Sequence, residues 1–346
     1  MKSIYGYTEE MLKEYLKSNN QKPFRAAQLI EWLYRHKISS FDEITNMKKD
    51  FILQLKNDFT IDELECVTHQ KSSDGTQKFL FKLADGNLIE TVLMCHDYGY
   101  SVCVTTQVGC NMGCQFCASG MKKKLRNLEA FEIVLQILTV SKLADVRVSH
   151  VVVMGIGEPF DNYDNLVKFF KIINDPKGLA IGARHITVST CGIVPKILEF
   201  SELDLQINLA ISLHAPNDEI RNKIMPINKA YPLEVLIPAL KTYLDRTNRR
   251  VTFEYILLSG INDREEDALE LAKLAKGINC YINLIPYNET NNIDFKRSST
   301  IQIMKFYDIL KKNNVNVTIR REFGSKISAA CGQLRSKKEE VWNHFI

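Results

Sequence analysis

The sequence predicts an α/β protein, an open or partial barrel of strand–helix units behind a small mixed section of helices and short strands. Three observations predict it. The hydrophobic period is helical over residues 8–57 and becomes strand-like after residue 64. From residue 100 onward, runs rich in Val, Ile and Thr alternate with amphipathic runs, six times over. The strand runs are nearly continuously apolar, as strands covered on both faces are.

In order, "TEEMLKEYLKSNN" and "FRAAQLIEWLYRHK" place apolar residues at three- and four-residue intervals and read as helices. "LECVTHQKS", "QKFLFKLADG" and "LIETVLMCHD" read as strands, with Asp85-Gly86-Asn87 as a tight turn between the last two. This front section, residues 1–96, is a small α+β accessory domain. Residues 97–346 form the main domain. Its strands are "YSVCVTT", "VSHVVVMG", "HITVST", "QINLAISLH", "RVTFEYILLSG" and "YINLIPYN". The alternating helices are "LEAFEIVLQILTVSKL", "YDNLVKFFKII", "VPKILEF", "PLEVLIPALKTYL", "REEDALELAKLAKG" and "TIQIMKFYDILKKNN". Six units are too few for a closed eight-fold barrel. Chemistry in such folds gathers beyond the carboxyl ends of the strands.

The 346 residues are 45% hydrophobic and 25% charged, ordinary for a soluble globular chain. No apolar run approaches the ~18 residues of a membrane span, and the first residues lack a signal core. A cytoplasmic setting is therefore expected, and nine cysteines, an odd number, argue against a disulfide framework. From Lys296 to the end, eleven Lys/Arg face four acids, and "MKKKLR" adds Lys122, Lys123, Lys124 and Arg126. Such patches fit a polyanion such as RNA, although each taken alone fits a solvated helix face.

"QVGCNMGCQFCASG" sets Cys110, Cys114 and Cys117 in C-x₃-C-x₂-C spacing just after the first barrel strand. A structural zinc site usually takes four ligands, and no second cysteine pair follows. A thioredoxin-like couple would leave Cys110 idle. Three thiolates in one loop suit a [4Fe–4S] cluster whose fourth iron is open to a ligand, with zinc as the alternative. "GIGEP" follows the second strand and offers Gly157 and the acceptor Glu158. Ser189, then Ser212, Leu213 and His214, then Asn288 end later strands.

C-x₃-C-x₂-C with an aromatic before the last cysteine resembles the signature of radical S-adenosylmethionine (SAM) enzymes, whose usual fold is a partial (βα)₆ barrel. "IETVLM", "SHVVVMGIGEPFDNYDN", "ISLHAP", "IMPIN", "VTIRREFG" and "AACGQLR" extend the resemblance along nearly the whole chain to the RlmN/Cfr family of RNA methyltransferases. The resemblance implies methylation of adenine C2 in adenosine 2503 of 23S rRNA and adenosine 37 of tRNAs, with two SAM molecules, a 5′-deoxyadenosyl radical and a methylated cysteine. It implies Cys110, Cys114 and Cys117 as cluster ligands. It implies Gly157, Glu158, Ser189, Ser212, Leu213, His214 and Asn288 as SAM contacts. Cys331 would be the methyl carrier, Cys103 its disulfide partner in releasing product, and Glu90 the proton acceptor. An external one-electron reductant of the flavodoxin kind is implied. Nothing in the sequence calls for an obligate interface, so a monomer is expected. Two alternatives stand beside this, a Cfr-type C8 methyltransferase and a zinc-stabilised, non-catalytic RNA-binding protein. Pro159 after Glu158, where Cfr-like chains are expected to carry alanine, favours the C2 enzyme. Cys66, Cys95, Cys191 and Cys280 are expected to be structural.

Overall fold

The computed structural model describes residues 1–289, 294–321, 323, 324, 327, 329 and 332–334. The front section folds as the sequence predicts. Helix α1 (Glu9–Ser18) is capped by Thr8, whose hydroxyl accepts the Met11 N–H at 3.3 Å, and it carries Glu9 and Glu10 in its positive first turn. Helices α2 (Arg25–Tyr34) and α3 (Lys49–Asp58) follow, each burying one apolar stripe. A two-residue parallel ladder joins β1 (Lys2–Ser3) to β2 (Phe59–Thr60).

The three front strands, β3 (Glu65–Lys71), β4 (Gln77–Lys82) and β5 (Leu88–His96), form an antiparallel meander. The predicted turn at Asp85–Asn87 closes with the Leu83 N–H on the Asn87 carbonyl at 2.8 Å. The meander pairs through β5 onto β6 (Gly99–Cys103), so it extends the sheet of the main section across residue 96. The short ladder β7 (Gln107–Val108) and β8 (Arg126–Asn127) closes the loop that carries the three clustered cysteines.

The rest is βα repetition. After α4 (Ala130–Ala144) come β9 (Val148–Val153), α5 (Tyr163–Asn174), β10 (Ile186–Thr190), α6 (Val194–Phe200) and β11 (Asn208–Ser212). Then come α7 (Asp218–Ile224), α8 (Leu233–Thr247), β12 (Val251–Leu257), α9 (Glu265–Ala275), β13 (Cys280–Pro286), α10 (Thr300–Lys312) and β14 (Val317–Ile319). All six predicted barrel strands are present and parallel, and β14 adds a seventh at the edge. The ten-stranded sheet runs β14-β13-β12-β11-β10-β9-β6-β5-β4-β3 and does not close, as expected of a partial barrel. The main core lies between this sheet and the surrounding helices, around residues such as Val151, Val188, Leu209, Phe253 and Phe306. Helix α7 has no counterpart among the predicted elements. Among the described residues no helix is long and apolar enough to cross a membrane.

Candidate functional site

The carboxyl ends of β6 and β9–β13 open into a cleft with about 870 Å³ of empty space. Its wall includes Cys110, Cys114, Cys117, Gly157, Glu158, Ser189, Ser212 and His214, which the spacing scatters over more than a hundred residues. The cysteine loop is held from several sides. The Cys110 N–H donates to the Lys122 carbonyl at 2.9 Å, the Gln115 N–H reaches the Ile224 carbonyl at 2.9 Å, and the Cys117 N–H turns back to Cys114 at 3.2 Å. Phe116, the aromatic of the motif, is buried edge-to-face against His214 at 4.8 Å between centroids.

The loop after β9 presses hard on the end of β6. Gly157 has φ +108°, and a Cβ there would lie 2.7 Å from the Gln107 side chain, so only glycine fits. Glu158 is buried, and its carboxylate already accepts two backbone N–H groups, Phe160 at 3.0 Å and Cys191 at 2.8 Å. Burial raises its pKa, and the N–H bonds oppose that rise. His214 takes a left-handed conformation (φ +57°), which sends its carbonyl to Asn262 Nδ2 at 2.7 Å. Its Nδ1 accepts the Ile256 N–H at 3.0 Å. Burial and nearby Arg221 push its pKa down to about 3, so the ring is neutral and carries its proton on Nε2. Ser189 and Ser212 touch through their hydroxyls at 3.3 Å. Leu213 is the exception of the set. Its side chain is fully buried in the main core, and its carbonyl accepts the Arg221 guanidinium at 3.1 Å.

A second, narrow chamber adjoins the first, sharing Met154, Ile285 and Arg320 with it. Cys103 and Asn288 line this chamber, not the cleft. Cys103 packs with Ala329 and Leu334 from the C-terminal segment. Cys331 lies outside the described residues, as do Lys326, Arg335, Lys337 and Lys338 of the basic tail. Its described neighbours bind the end of the cysteine loop. The Ala118 N–H donates to the Gly332 carbonyl at 2.8 Å, and Ser119 Oγ donates to the Leu334 carbonyl at 2.9 Å. Glu90 is buried on β5 with Lys78 Nζ at 3.3 Å from its carboxylate. Among the described residues it lines neither cavity.

Three groups of the site escaped the sequence analysis. Arg221 is fully buried and donates to the carbonyls of Cys191 (2.7 Å), Leu213 (3.1 Å) and Ser212 (3.3 Å) and to Asn228 Oδ1 (2.7 Å). It ties the ends of β10 and β11 together, and "IMPIN", which contributes Asn228, was its only trace. Glu254, buried in the cleft wall, has Asn283 at 3.0 Å and Arg320 at 3.7 Å. Cys191, expected to be merely structural, lines the cleft. Cys66 is half-buried, Cys95 exposed and Cys280 buried.

Residues 88–272 match the family model of the radical SAM superfamily, and residues 2–61 match that of the ribosomal RNA large subunit methyltransferase N-terminal domain. A probable dual-specificity RNA methyltransferase RlmN of Spiroplasma citri is 57% identical over 99% of both chains. The corresponding protein of Listeria welshimeri is 57% identical over 97% of this chain and 94% of its own. A crystal structure of a radical SAM methyltransferase from Sphaerobacter thermophilus superposes with a TM-score of 0.92 at 41% identity, covering 97% of this chain and 100% of that one.

A radical SAM protein takes a [4Fe–4S] cluster and SAM, and the donor set here fits them. Burial pushes the Cys110 thiol up to about 12 and raises the Cys114 thiol well above the usual thiol range, with the neighbouring Cys117 adding to both. Three thiolates can share this wall only beside concentrated positive charge, which iron supplies. Among the described residues no three His, Cys, Asp or Glu side chains close on a single ion. Sulfurs bound to three separate irons stand farther apart than sulfurs on one ion, so this does not count against a cluster. With family models over both sections and relatives matched end to end, the chain belongs to the RlmN family of dual-specificity RNA methyltransferases, within the radical SAM superfamily.

Proposed function

We propose that the protein methylates the C2 carbon of an adenine in 23S rRNA and tRNA, with Cys331 as methyl carrier. Adenine C2 is electron-poor and has no lone pair to attack a sulfonium, so polar methyl transfer fails and a radical route is needed. One observation carries the reading. The residues flanking position 331 are bonded to the end of the cysteine loop on one side and packed on Cys103 on the other. The described part of this segment therefore meets both the cysteine loop and Cys103.

When bound, the cluster and SAM supply a one-electron cleavage that yields a hydrogen-abstracting carbon radical. Cys110, Cys114 and Cys117 hold the iron. The backbone of Gly157 and the carboxylate of Glu158, both in the cleft wall, would meet the methionine end of SAM. Ser189, Ser212 and the Nε2–H of His214 supply hydrogen bonds for its ribose and carboxylate, the backbone of Leu213 spaces the last two, and Asn288 reaches from the adjoining chamber. Cys331 accepts a methyl group at sulfur and carries it as the carbon that bonds to the base. Glu90 takes the displaced C2 proton, its carboxylate oriented by Lys78. The Cys103 thiolate attacks the Cys331 sulfur and forms a disulfide; the sulfur–carbon bond breaks, its electron pair passes to the carbon attached to the base, and that carbon takes a proton to become the product methyl group. Residues 1–96 and the basic tail grip phosphates. The substrates would be met in the cytoplasm, with an external one-electron donor.

The test is anaerobic turnover of the iron-reconstituted protein with methyl-deuterated SAM and RNA, followed by nucleoside mass spectrometry. 2-Methyladenosine is expected. 8-Methyladenosine would assign the Cfr-type reaction instead, and unmodified RNA from a protein that cleaves SAM would overturn the proposal.

A further inference from the structure

Five rings follow one another across the inner face of the sheet. Phe323 meets His96 edge-on at 4.7 Å, His96 stacks on Tyr98 at 4.6 Å, Tyr98 meets His150 at 4.8 Å, and His150 stacks on His185 at 4.3 Å. Strand register brings them together. On β5, residues 90, 92, 94 and 96 share a face, so His96 continues the row of Glu90, Val92 and Met94. On β9, His150 pairs with Ser101, and the β9–β10 register sets His185 beside it. The turn that presents Tyr98 needs Gly99, whose φ is +124° and whose Cβ would lie 2.6 Å from Ser149 Oγ.

The series begins at the chamber of Cys103, since Phe323 lines it, and runs outward into solvent. Tyr98 packs on its two ring neighbours and is still 64% exposed, so much of its ring meets solvent. Exposed Arg321 lies over Phe323 at 5.4 Å, and exposed Arg184 precedes His185. Burial holds the pKa of His96 and His150 below the usual imidazole range, which keeps their rings uncharged. A run of partly exposed rings beside arginines matches single-stranded nucleic acid, where bases stack and phosphates pair with guanidinium groups.

We propose that this aromatic ridge is the track on which unpaired nucleotides next to the target adenine stack. The proposal rests on the RNA methyltransferase function above. Five residues separate Tyr98 from Cys103 along the strand, about 17 Å, so the ridge holds neighbours of the reacting base and not the base itself.

The test uses the full-length, iron-reconstituted protein, a fluorescent RNA hairpin with an adenine in its loop, and the variants Tyr98→Ala, His150→Ala, their double and Tyr98→Phe. Each alanine variant is expected to weaken RNA binding by about five- to a hundredfold. KM for RNA should rise more than kcat falls, and the slope of affinity against salt should stay unchanged because no phosphate contact is lost. Tyr98→Phe keeps the ring and should bind as the parent does. Ultraviolet cross-linking of the unaltered protein should join RNA to peptides containing residues 96–98 or 150, which keeps the test open if His150→Ala misfolds. If the parent methylates RNA, yet the double variant binds it equally well and no cross-link maps to the ridge, the track is refuted while the catalytic proposal stands. A parent that neither binds nor methylates RNA refutes both.

Discussion

Arg221→Met should damage stability and SAM binding together, because this side chain bolts the ends of two strands. Methionine keeps most of the apolar stem and removes every donor. The oxygens at 2.7, 2.7 and 3.1 Å, on Cys191, Asn228 and Leu213, are then left buried without a partner. Each orphaned group costs about 1–3 kcal/mol, and relief from burying the guanidinium returns part of that, leaving a net loss of about 3–5 kcal/mol. At ~2.1 cal/mol/K per residue, a 346-residue chain has an unfolding entropy of about 0.7 kcal/mol/K, so Tm should fall by about 4–7 °C. The same loss frees Ser212 and the backbone of Leu213 from their anchor, and SAM affinity should drop about tenfold or more. Arg221→Lys, with a single point of charge where a planar fork is needed, should fall between the two. Calorimetry of the cofactor-free protein and equilibrium SAM binding to the reconstituted one read both effects. A Met variant that melts within about 1 °C of the parent and binds SAM equally well would show that the strand ends hold themselves.

Cys117→Ala should abolish the iron–sulfur absorbance and SAM cleavage, and a variant that keeps its iron and activity would contradict the ligand assignment. Cys331→Ala should retain the cluster but acquire no methyl group by intact mass, whereas Cys103→Ala should accumulate protein bound to RNA on denaturing gels. Glu158→Gln turns an amide N–H₂ toward a backbone N–H, so it should lose about 1–3 kcal/mol of stability by denaturant titration as well as SAM affinity. Asp74 accepts the Gly324 N–H at 2.9 Å and the Thr76 N–H at 3.0 Å; partial burial raises its pKa, but the N–H bonds outweigh that and hold it at about 2. The bond it gives to the C-terminal segment is therefore complete above the ordinary carboxylate pKa and lost as pH falls toward 2, so proteolytic cleavage after residue 320 should accelerate over that window in the parent and not in Asp74→Asn.

The strands and most helices were legible because each carries its own period. Val148–Val153 and Val251–Leu257 are apolar enough to identify themselves, and the helices between them bury one stripe each. Helix α7 was not, because seven residues with only Ile220 and Ile224 buried among the apolar ones make no amphipathic signal. Its worth lies in one arginine that an apolar pattern hides, since a charged residue in a short polar run reads as surface. The cysteine loop was legible because three thiols so close together have few other uses. Glu254 was not, because a single acid inside an apolar strand shows neither its burial nor its partners Asn283 and Arg320.

The division at residue 96 is the instructive case. The strand–helix alternation begins only after it, yet β5 hydrogen-bonds to β6 as any two neighbours in a sheet do, with Val92 opposite Cys103 and Met94 opposite Ser101. The face that carries Glu90 and Val92 on one side of that division therefore continues into the face that carries Cys103 and, through β9, Val152 and Met154 on the other. A rigid ladder fixes the distance between the proposed proton acceptor and the proposed release thiol more tightly than a linker between independent domains could. Strand β5 is thus part of the wall of the chamber, and a substitution that shifts the β5–β6 register by one residue would turn Glu90 and Val92 away from Cys103 at a stroke.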